Sequence, residues 1–347
     1  MSNIPMKKFA GVILSVLLVA SLFAGCTPKE PTPPVSGPIS LTDMAGRAVE
    51  LEQPATKVVG THNVSLNYAV VLSGDGSVLV GFGNKDMAYG LYDKVFPGYG
   101  ELTSIGKGKE INYETVASLK AELALVPTRF ISQAESYEQV GCKVIILDVE
   151  KFDSIKEALT LVGKAIGKEE RAEQIKTFFD GKITQMTELT ANVANKPKVL
   201  MLGSSSATSV AHDAMLQNQI IATAGGVCAD AGFEATGGFA DVDMETIVGW
   251  NPEVIYIPAY AKYTVQDILD DPAWQGITAV QNKAVYMFPS AVEPWDYPTT
   301  SAALGLCWVT YNLHPELYSY DDLIKDVNEY YSFTYNTTFT PEELGLK

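Results

Sequence analysis

The residue types that could carry catalysis occur in this chain without the spacing that catalysis needs. Ser204, Ser205 and Ser206 precede the pair His212-Asp213, and these are the residue types of a serine hydrolase. Hydrolases of the α/β type hold the serine in a GxSxG turn, which the sequence lacks. The phosphate-binding patterns GxGxxG and GxxxxGKS/T are absent too. We therefore interpret the serine run as a polar loop after a strand, and we expect no enzyme.

The cysteines and histidines do not form a metal-binding pattern. Beyond Cys26, only Cys142, Cys228 and Cys307 remain, each in an apolar or glycine-rich context that is typical of buried free thiols. No CxxC spacing occurs, so a structural zinc site is not expected. His314 follows a predicted helix, and we assign it no chemistry.

The composition describes a globular and acidic protein. Of the 347 residues, 47% are hydrophobic and 19% are charged, and the formal net charge is −16. This length allows two domains with sizeable cores. A surface this acidic repels nucleic acid and anionic lipid, so neither is expected as a partner.

Residues 1–25 have the features of a signal peptide. Two lysines precede an apolar run from Phe9 to Phe23, and small residues stand directly before Cys26. This arrangement resembles the bacterial lipoprotein signal, which implies that Cys26 is acylated and becomes the N-terminus. Residues 26–38 would then be the lipidated cysteine and a proline-rich tether. The alternative is a plain signal peptide or membrane anchor with a chance cysteine.

We expect an extracytoplasmic protein that a lipid anchors to the cell membrane, at the outer face of the cytoplasmic membrane or on the periplasmic side. No later stretch holds the roughly 18 unbroken apolar residues of a second membrane span.

Predicted strands alternate with predicted helices through most of the chain, which indicates βαβ units and mostly parallel sheets. A β-hairpin is predicted for residues 39–51, turning at Ala45-Gly46-Arg47. The other predicted strands are 57–61, 78–82, 122–126, 144–147, 199–202, 254–257 and 284–288. The predicted helices are 64–72, 111–120, 132–140, 215–224, 244–249, 265–269 and 301–313.

One segment, Phe152 to Ala194, has the pattern of a short helix, a break at Gly167-Lys168 and a long charged helix. About 25 residues at 1.5 Å each span roughly 37 Å, close to the width of a domain. It is either a strut between two lobes or an ordinary surface helix. A repeated pattern favours the strut, since INYETVASLKAELALVP before it parallels VDMETIVGWNPEVIYIP after it.

We therefore predict an N-terminal α/β lobe at 39–168, an interdomain helix at 169–194 and a C-terminal α/β lobe at 195–347.

A set of short motifs follows the order of a known family, although no single motif is specific. The set is Thr42-Asp43, Gly46-Arg47, Val49, Asn112-Tyr113-Glu114, Gly225-Gly226, Glu245, Asn251-Pro252-Glu253, Ala279-Val280 and Val285-Tyr286. In this order, from about Leu41 to Leu346, the chain resembles the substrate-binding proteins of ABC importers for ferric siderophores, haem and cobalamin. The resemblance implies two Rossmann-like lobes with mostly parallel sheets, joined by one long rigid helix, with a ligand cleft between the lobes.

The resemblance also implies partners and a docking surface. In the relatives, one glutamate on each lobe meets arginines of the permease dimer, and the matching motifs place these on Glu114 and Glu245. The alternative is that each is a first-turn glutamate that only offsets a helix dipole. The expected partners are an ABC permease dimer with its ATPase subunits, and the receptor is expected to be a monomer.

The cleft is expected to be lined by the loops that leave the carboxyl ends of the strands. Aromatic faces there suit a bulky planar or organic metal chelate. Arg129 would pair with an anionic group of the ligand, or else is a surface arginine beside a helix start. The candidate ligand-binding residues are His62, Asn63, Tyr89, Tyr92, Arg129, Phe130, His212, Tyr260, Tyr263, Trp295 and Tyr297.

His62 and His212 fall in predicted cleft loops, one in each lobe. They could bind the iron of a haem or the metal of a corrinoid, although a loop histidine is more often solvated or hydrogen-bonded. Tyrosine oxygens are alternative ligands for Fe(III). No intrinsic cofactor is expected; the bound ligand is predicted to be an iron-siderophore, haem or corrinoid.

We thus expect a lipid-anchored receptor that captures an iron chelate or tetrapyrrole and delivers it to an ABC permease. One alternative is a receptor of the same fold for another metal or metal complex, although three histidines are few for a bare zinc or manganese ion. Another is a sensor or adhesin lipoprotein without an importer.

Overall fold

The computed structural model describes residues 37–84 and 89–346. The predicted signal peptide, Cys26 and nearly all of the tether lie outside the described residues. The strands are β1 Ile39–Thr42, β2 Ala48–Leu51, β3 Val58–Gly60, β4 Leu79–Phe82, β5 Gly106–Lys107, β6 Glu110–Ile111, β7 Leu123–Pro127, β8 Lys143–Leu147, β9 Lys198–Met201, β10 Ser209–Val210, β11 Val227–Cys228, β12 Ala240–Asp241, β13 Val254–Ile257 and β14 Val285–Met287. The helices are α1 Asn63–Ser73, α2 Leu91–Val95, α3 Tyr113–Ser118, α4 Ala134–Gln139, α5 Phe152–Ala165, α6 Glu169–Thr190, α7 Leu216–Thr223, α8 Met244–Trp250, α9 Val265–Asp270, α10 Thr278–Gln281, α11 Ala302–Leu313 and α12 Tyr320–Tyr335.

Two four-stranded parallel sheets form the two halves of the fold. The first has the strand order β4-β3-β7-β8 and the second β11-β9-β13-β14. All pairs in both sheets are parallel. The predicted α/β fold with two mostly parallel lobes is confirmed.

The predicted hairpin is formed by β1 and β2, with Ile39 opposite Leu51. Its turn needs a left-handed residue, and Gly46 supplies it at φ +80°. Asp43 ties the hairpin to the first sheet, because its Oδ2 accepts a hydrogen bond from the Ile146 amide at 3.1 Å. The hairpin therefore covers the β8 edge of that sheet.

The chain passes from the first sheet to the second through α5 and α6. Gly167, at φ +67°, separates the two helices as predicted. Helix α6 contacts α5, α7 and α11. It buries one face, which carries Ala172, Ile175, Phe179 and Met186.

The long helix ends at Thr190, four residues before the predicted Ala194. The Thr190 hydroxyl shares its one hydrogen between the Met186 and Thr223 carbonyl oxygens, at 2.9 and 3.1 Å, and the second contact joins this end to α7. The Val193 amide then donates to the Thr190 carbonyl at 3.2 Å and closes a turn.

Helix α12 was not predicted, although it is the second-longest helix described. Ser319 and Asp322 form a capping box at its start. Its buried face carries Leu323, Val327, Tyr330 and Tyr331, which join a hydrophobic core that runs through both halves. No helix in the described ranges is long and apolar enough to cross a bilayer.

Candidate ligand-binding cleft

Residues from the two halves meet where the strands of both sheets end. The Tyr68 hydroxyl donates to the Pro298 carbonyl at 2.7 Å, and the Leu91 amide donates to the Val292 carbonyl at 2.9 Å. The hydroxyl oxygens of Tyr89 and Tyr297 lie 3.5 Å apart across this junction. The junction lies at the carboxyl ends of the parallel strands, where ligands bind in α/β folds.

Three predicted aromatic residues form one cluster there. The ring centroids of Tyr89 and Tyr297 lie 6.2 Å apart, with an edge-to-face arrangement, and those of Tyr260 and Tyr297 lie 5.0 Å apart. The Tyr260 hydroxyl donates to Oδ2 of Asp296 at 2.6 Å, which fixes its ring. Burial is the main cause that raises the pKa of each of the three phenols, so all three are neutral donors at pH 7.

Arg129 supplies positive charge beside this cluster. Arg129 is exposed after β7, and its guanidinium carbon lies 5.1 Å from the centroid of the Phe130 ring. Its charge acts on the pKa of His62 and of Tyr297, and Glu150 acts on the pKa of Arg129 itself. Among the described residues no carboxylate forms an ion pair with Arg129. Its guanidinium is therefore available to a bound anion.

His62 stands at the start of α1 and is uncharged at neutral pH. Burial, and then the charge of Arg129, lower its pKa to about 3. Its Nδ1 is buried with no hydrogen-bond partner among the described residues. No side chain caps the first turn of α1 either. The cleft thus offers a cation, a neutral imidazole and the amide end of an eleven-residue helix.

A small cavity extends under the Tyr89–Tyr297 contact. It has about 20 Å³ of space for the centre of a water-sized sphere, which is room for about one water molecule. Its walls are Asn63, Val64, Asn67, Tyr89, Leu91, Tyr92, Glu293, Pro294, Tyr297 and Thr299. In this conformation the cleft has no room for a large ligand between Tyr89 and Tyr297.

The structure corrects two of the predicted ligand residues. Trp295 is 1% exposed and its indole donates to the Tyr331 hydroxyl at 3.1 Å, so it belongs to the core. His212 is also 1% exposed. Its Nδ1 accepts from the Ala214 amide at 3.3 Å and its Nε2 faces the Gly237 and Gly238 carbonyls at 3.2 Å, which leaves no nitrogen for a metal.

The remaining predicted residues lie at or beside the cleft to different degrees. Tyr92 forms a wall of the cavity but is 3% exposed and packs on Phe82 and Tyr99. Tyr263 donates to the Gly203 carbonyl at 2.6 Å, and so lies against the end of β9. The predicted loop that contains Tyr89 includes residues 85–88, which lie outside the described residues.

The sequence reasoning missed Asn67, Glu293 and Thr299, which all line the cavity. Asn63 and Asn67 stand four residues apart, so they share a face of α1, and this spacing was a usable signal. Glu293 lies in the loop between β14 and α11, beside the predicted Trp295 and Tyr297, and no carboxylate of this loop was predicted.

The two glutamates of the predicted docking surface have the same local structure. Glu114 and Glu245 are both exposed and both lie in the first turn of a short helix. The N-cap side chain accepts from the third helical amide in each case, Asn112 from Thr115 at 2.9 Å and Asp243 from Thr246 at 2.7 Å. Neither glutamate forms an ion pair within the described ranges.

The comparisons with known proteins decide the family. The profile of the family described as periplasmic binding protein matches residues 58–292, more than half of the chain. The chain belongs to the periplasmic binding protein family. The molybdate-binding protein MolA of Haemophilus influenzae is 27% identical over 87% of this chain and 92% of its own length. The Fe(3+)-citrate-binding protein YfmC of Bacillus subtilis is 23% identical over 79% of this chain and 87% of its own length.

A solved structure of MolA bound to molybdate has a similar fold, with a TM-score of 0.74 and 22% identity over 87% of this chain and 99% of that one. The protein is thus an extracytoplasmic substrate-binding protein of an ABC importer and not an enzyme, as predicted.

Proposed function

We propose that this binding protein captures a compact, oxygen-rich metal anion and delivers it to its ABC permease. The observation that carries the proposal is Arg129, an unpaired guanidinium among the described residues, beside the neutral His62 and the tyrosine hydroxyls of the cleft. Charge-assisted hydrogen bonds from arginine to oxyanions are among the strongest hydrogen bonds in proteins. Molybdate and ferric citrate, named for two relatives, are both ligands of this kind.

A large chelate is the second candidate, and the aromatic cluster favours it. Tyr89, Tyr260 and Tyr297 could stack on a planar ligand such as haem or a corrinoid, or on a siderophore. Such a ligand requires Tyr89 and Tyr297 to separate, since their hydroxyls lie 3.5 Å apart. A tetrahedral oxyanion or a small carboxylate chelate requires less opening.

Calorimetric titration with molybdate, ferric citrate, haem, cobalamin, a hydroxamate and a catecholate siderophore tests both candidates. We expect an anion of the first pair to bind, and Arg129→Gln to weaken that binding by roughly ten-fold or more, since one charge-assisted hydrogen bond contributes about 1.5–3 kcal/mol. Lys143→Gln is the matched control, because Lys143 is exposed at the opposite end of the sheet. Binding of haem or cobalamin alone would favour the second candidate, and an unchanged affinity of Arg129→Gln would reject the role of Arg129.

We further propose that Glu114 and Glu245 dock the protein on the permease dimer. Both carboxylates are exposed in the first turn of a helix that has the same pattern of capping hydrogen bond, one in each half, so they can pair with two symmetric cationic sites. The same chain is proposed to work as a monomer.

Lipid anchoring at Cys26 is also proposed, supported by the lysines, the apolar run and the small residues before it. Release of Cys26→Ala from the membrane fraction is the expected result.

A further inference from the structure

Three oxygen atoms in the wall of the small cavity have no partner. These are Oδ1 of Asn63, Oδ1 of Asn67 and Oε1 of Glu293, and all three are buried without a hydrogen bond among the described residues. Asn67 is 5% exposed and Glu293 is 6% exposed. Buried acceptors in folded proteins are almost always satisfied by protein, water or an ion. The three unpaired oxygens therefore indicate that the cavity holds a water molecule or an ion.

Hydroxyl groups surround two of these side chains. The Asn67 amide lies beside the hydroxyls of Tyr92 and Tyr335. The Glu293 carboxyl lies beside the hydroxyls of Tyr331 and Ser301.

In the part of the chain that the structure describes, no basic side chain is among the groups that act on the pKa of Glu293. Burial raises its pKa to about 7. The titratable groups that face it are phenols: Tyr92 from α2, and Tyr330, Tyr331 and Tyr335 from α12. Neutral phenols donate hydrogen bonds but bring no positive charge, and a buried carboxylate without a counter-charge is costly.

The size and the charge of the cavity together limit the occupant. A single water molecule has two hydrogens and can satisfy only two of the three acceptors. A monovalent cation can bind all three and neutralise one carboxylate. A divalent cation would leave excess positive charge beside the single carboxylate.

We propose that the cavity is a binding site for an alkali cation, Na⁺ or K⁺, held by Oε1 of Glu293 and by the amide oxygens of Asn63 and Asn67. The bound cation would lie beside Tyr297, which is close enough to Arg129 for that charge to act on its pKa. It would add positive charge to the cleft of a protein whose formal net charge is −16. The site does not depend on which anion the cleft binds.

Thermal unfolding of the full chain at pH 8, without any anionic metal ligand, tests the site. The buffer holds ionic strength constant with tetramethylammonium chloride, which is replaced stepwise by NaCl or KCl. We expect a saturable rise of Tm on the order of 3 °C for one alkali cation. Glu293→Gln should abolish the rise. Asp296→Asn is the matched control and should retain it, because Asp296 is equally buried but bonds Tyr260 and does not line the cavity.

A crystal of the unaltered protein soaked in Rb⁺ or Tl⁺ gives a second test that needs no variant. An anomalous peak between Glu293 and the two asparagines is expected. A response that is equal for tetramethylammonium and both alkali salts, together with the absence of an anomalous peak, would overturn the proposal in favour of water or a proton. Neither test contains the anion of the cleft, so their failure is distinct from a failure of the proposed function.

Discussion

At the scale of single residues, the sequence could predict which loops form the cleft but not which side chains in them face it. His62 and Arg129 lie there because they follow β3 and β7 directly, and strand ends are readable from the sequence. Trp295 and Glu293 share one loop, yet the first joins the core and the second lines the cavity. Irregular backbone has no periodicity that separates inward from outward positions, and glutamate is rarely buried, so nothing in the sequence marked Glu293.

The raised pKa of Glu293 predicts how stability depends on pH. Burial raises this pKa from 4.5 to about 7, so the folded state binds the proton more tightly than the unfolded state. The resulting stabilisation is complete below pH 4.5 and is lost as the pH rises through 7. The shift corresponds to a free energy on the order of 3 kcal/mol.

We therefore expect Glu293→Gln to raise the free energy of unfolding relative to the unaltered protein at pH 8, in buffers without alkali cations. The difference should shrink toward pH 5, where Glu293 is protonated in the folded state. Urea unfolding at pH 5, 6.5 and 8 measures it. An effect of the same size at all three pH values would contradict the assignment.

At the scale of elements, the helices and central strands with regular burial were predictable, and the C-terminal helix was not. Helix α6 shows apolar residues every three or four positions among charges, and its start and the break before it were correct. Helix α12 has the same kind of spacing in Leu323, Val327 and Tyr330, but its buried face is rich in tyrosine and it also buries Asp326. The sequence of α12 therefore shows only a weak apolar pattern. Its buried face is recognisable only from its packing against α6 and α11.

The contact between α6 and α12 contains a buried ion pair. Lys182 Nζ lies 2.9 Å from Oδ1 of Asp326 and 2.7 Å from Oε2 of Glu329. Asp326 is 5% exposed and also accepts from the Tyr318 hydroxyl at 2.7 Å. Removing only the lysine leaves Asp326 buried without its counter-charge.

We expect Lys182→Met to lower the free energy of unfolding by about 3 kcal/mol. Lys176→Met on the same helix removes a pair with the exposed Glu173 and should change it by less than about 1 kcal/mol. Chemical denaturation of both variants makes the comparison. Equal effects would mean that the buried pair does not hold the two helices together.

At the scale of the whole molecule, the two sheets are parts of one compact unit. Residues 37–347 form that unit, and a hydrophobic core cluster contains residues from both halves as well as α5, α6, α11 and α12. A shared core of this kind resists large rotation of one half against the other, because packed interiors do not deform continuously. We infer that ligand capture changes the distance between the halves only slightly. The permease must then recognise the bound state through fixed points on the two halves.

Glu114 and Glu245 are the proposed fixed points, and their role can be separated from ligand binding. Each is exposed and neither lines the cavity beside Tyr89 and Tyr297, so Glu114→Ala with Glu245→Ala should leave ligand affinity unchanged. Transport should be lost, since the two exposed carboxylates that we propose to pair with permease arginines would both be gone. Uptake in membranes that carry the cognate permease measures this, with calorimetry for affinity.

Glu169→Ala with Glu170→Ala is the matched control for the docking variant. These two glutamates are also exposed in the first turn of a helix, so the control removes the same charge and the same favourable interaction with a helix dipole. It should transport normally. If both double variants lose uptake equally, net charge rather than docking is responsible. If the docking variant transports at the normal rate, Glu114 and Glu245 only offset their helix dipoles, and the permease must recognise other residues of the two halves.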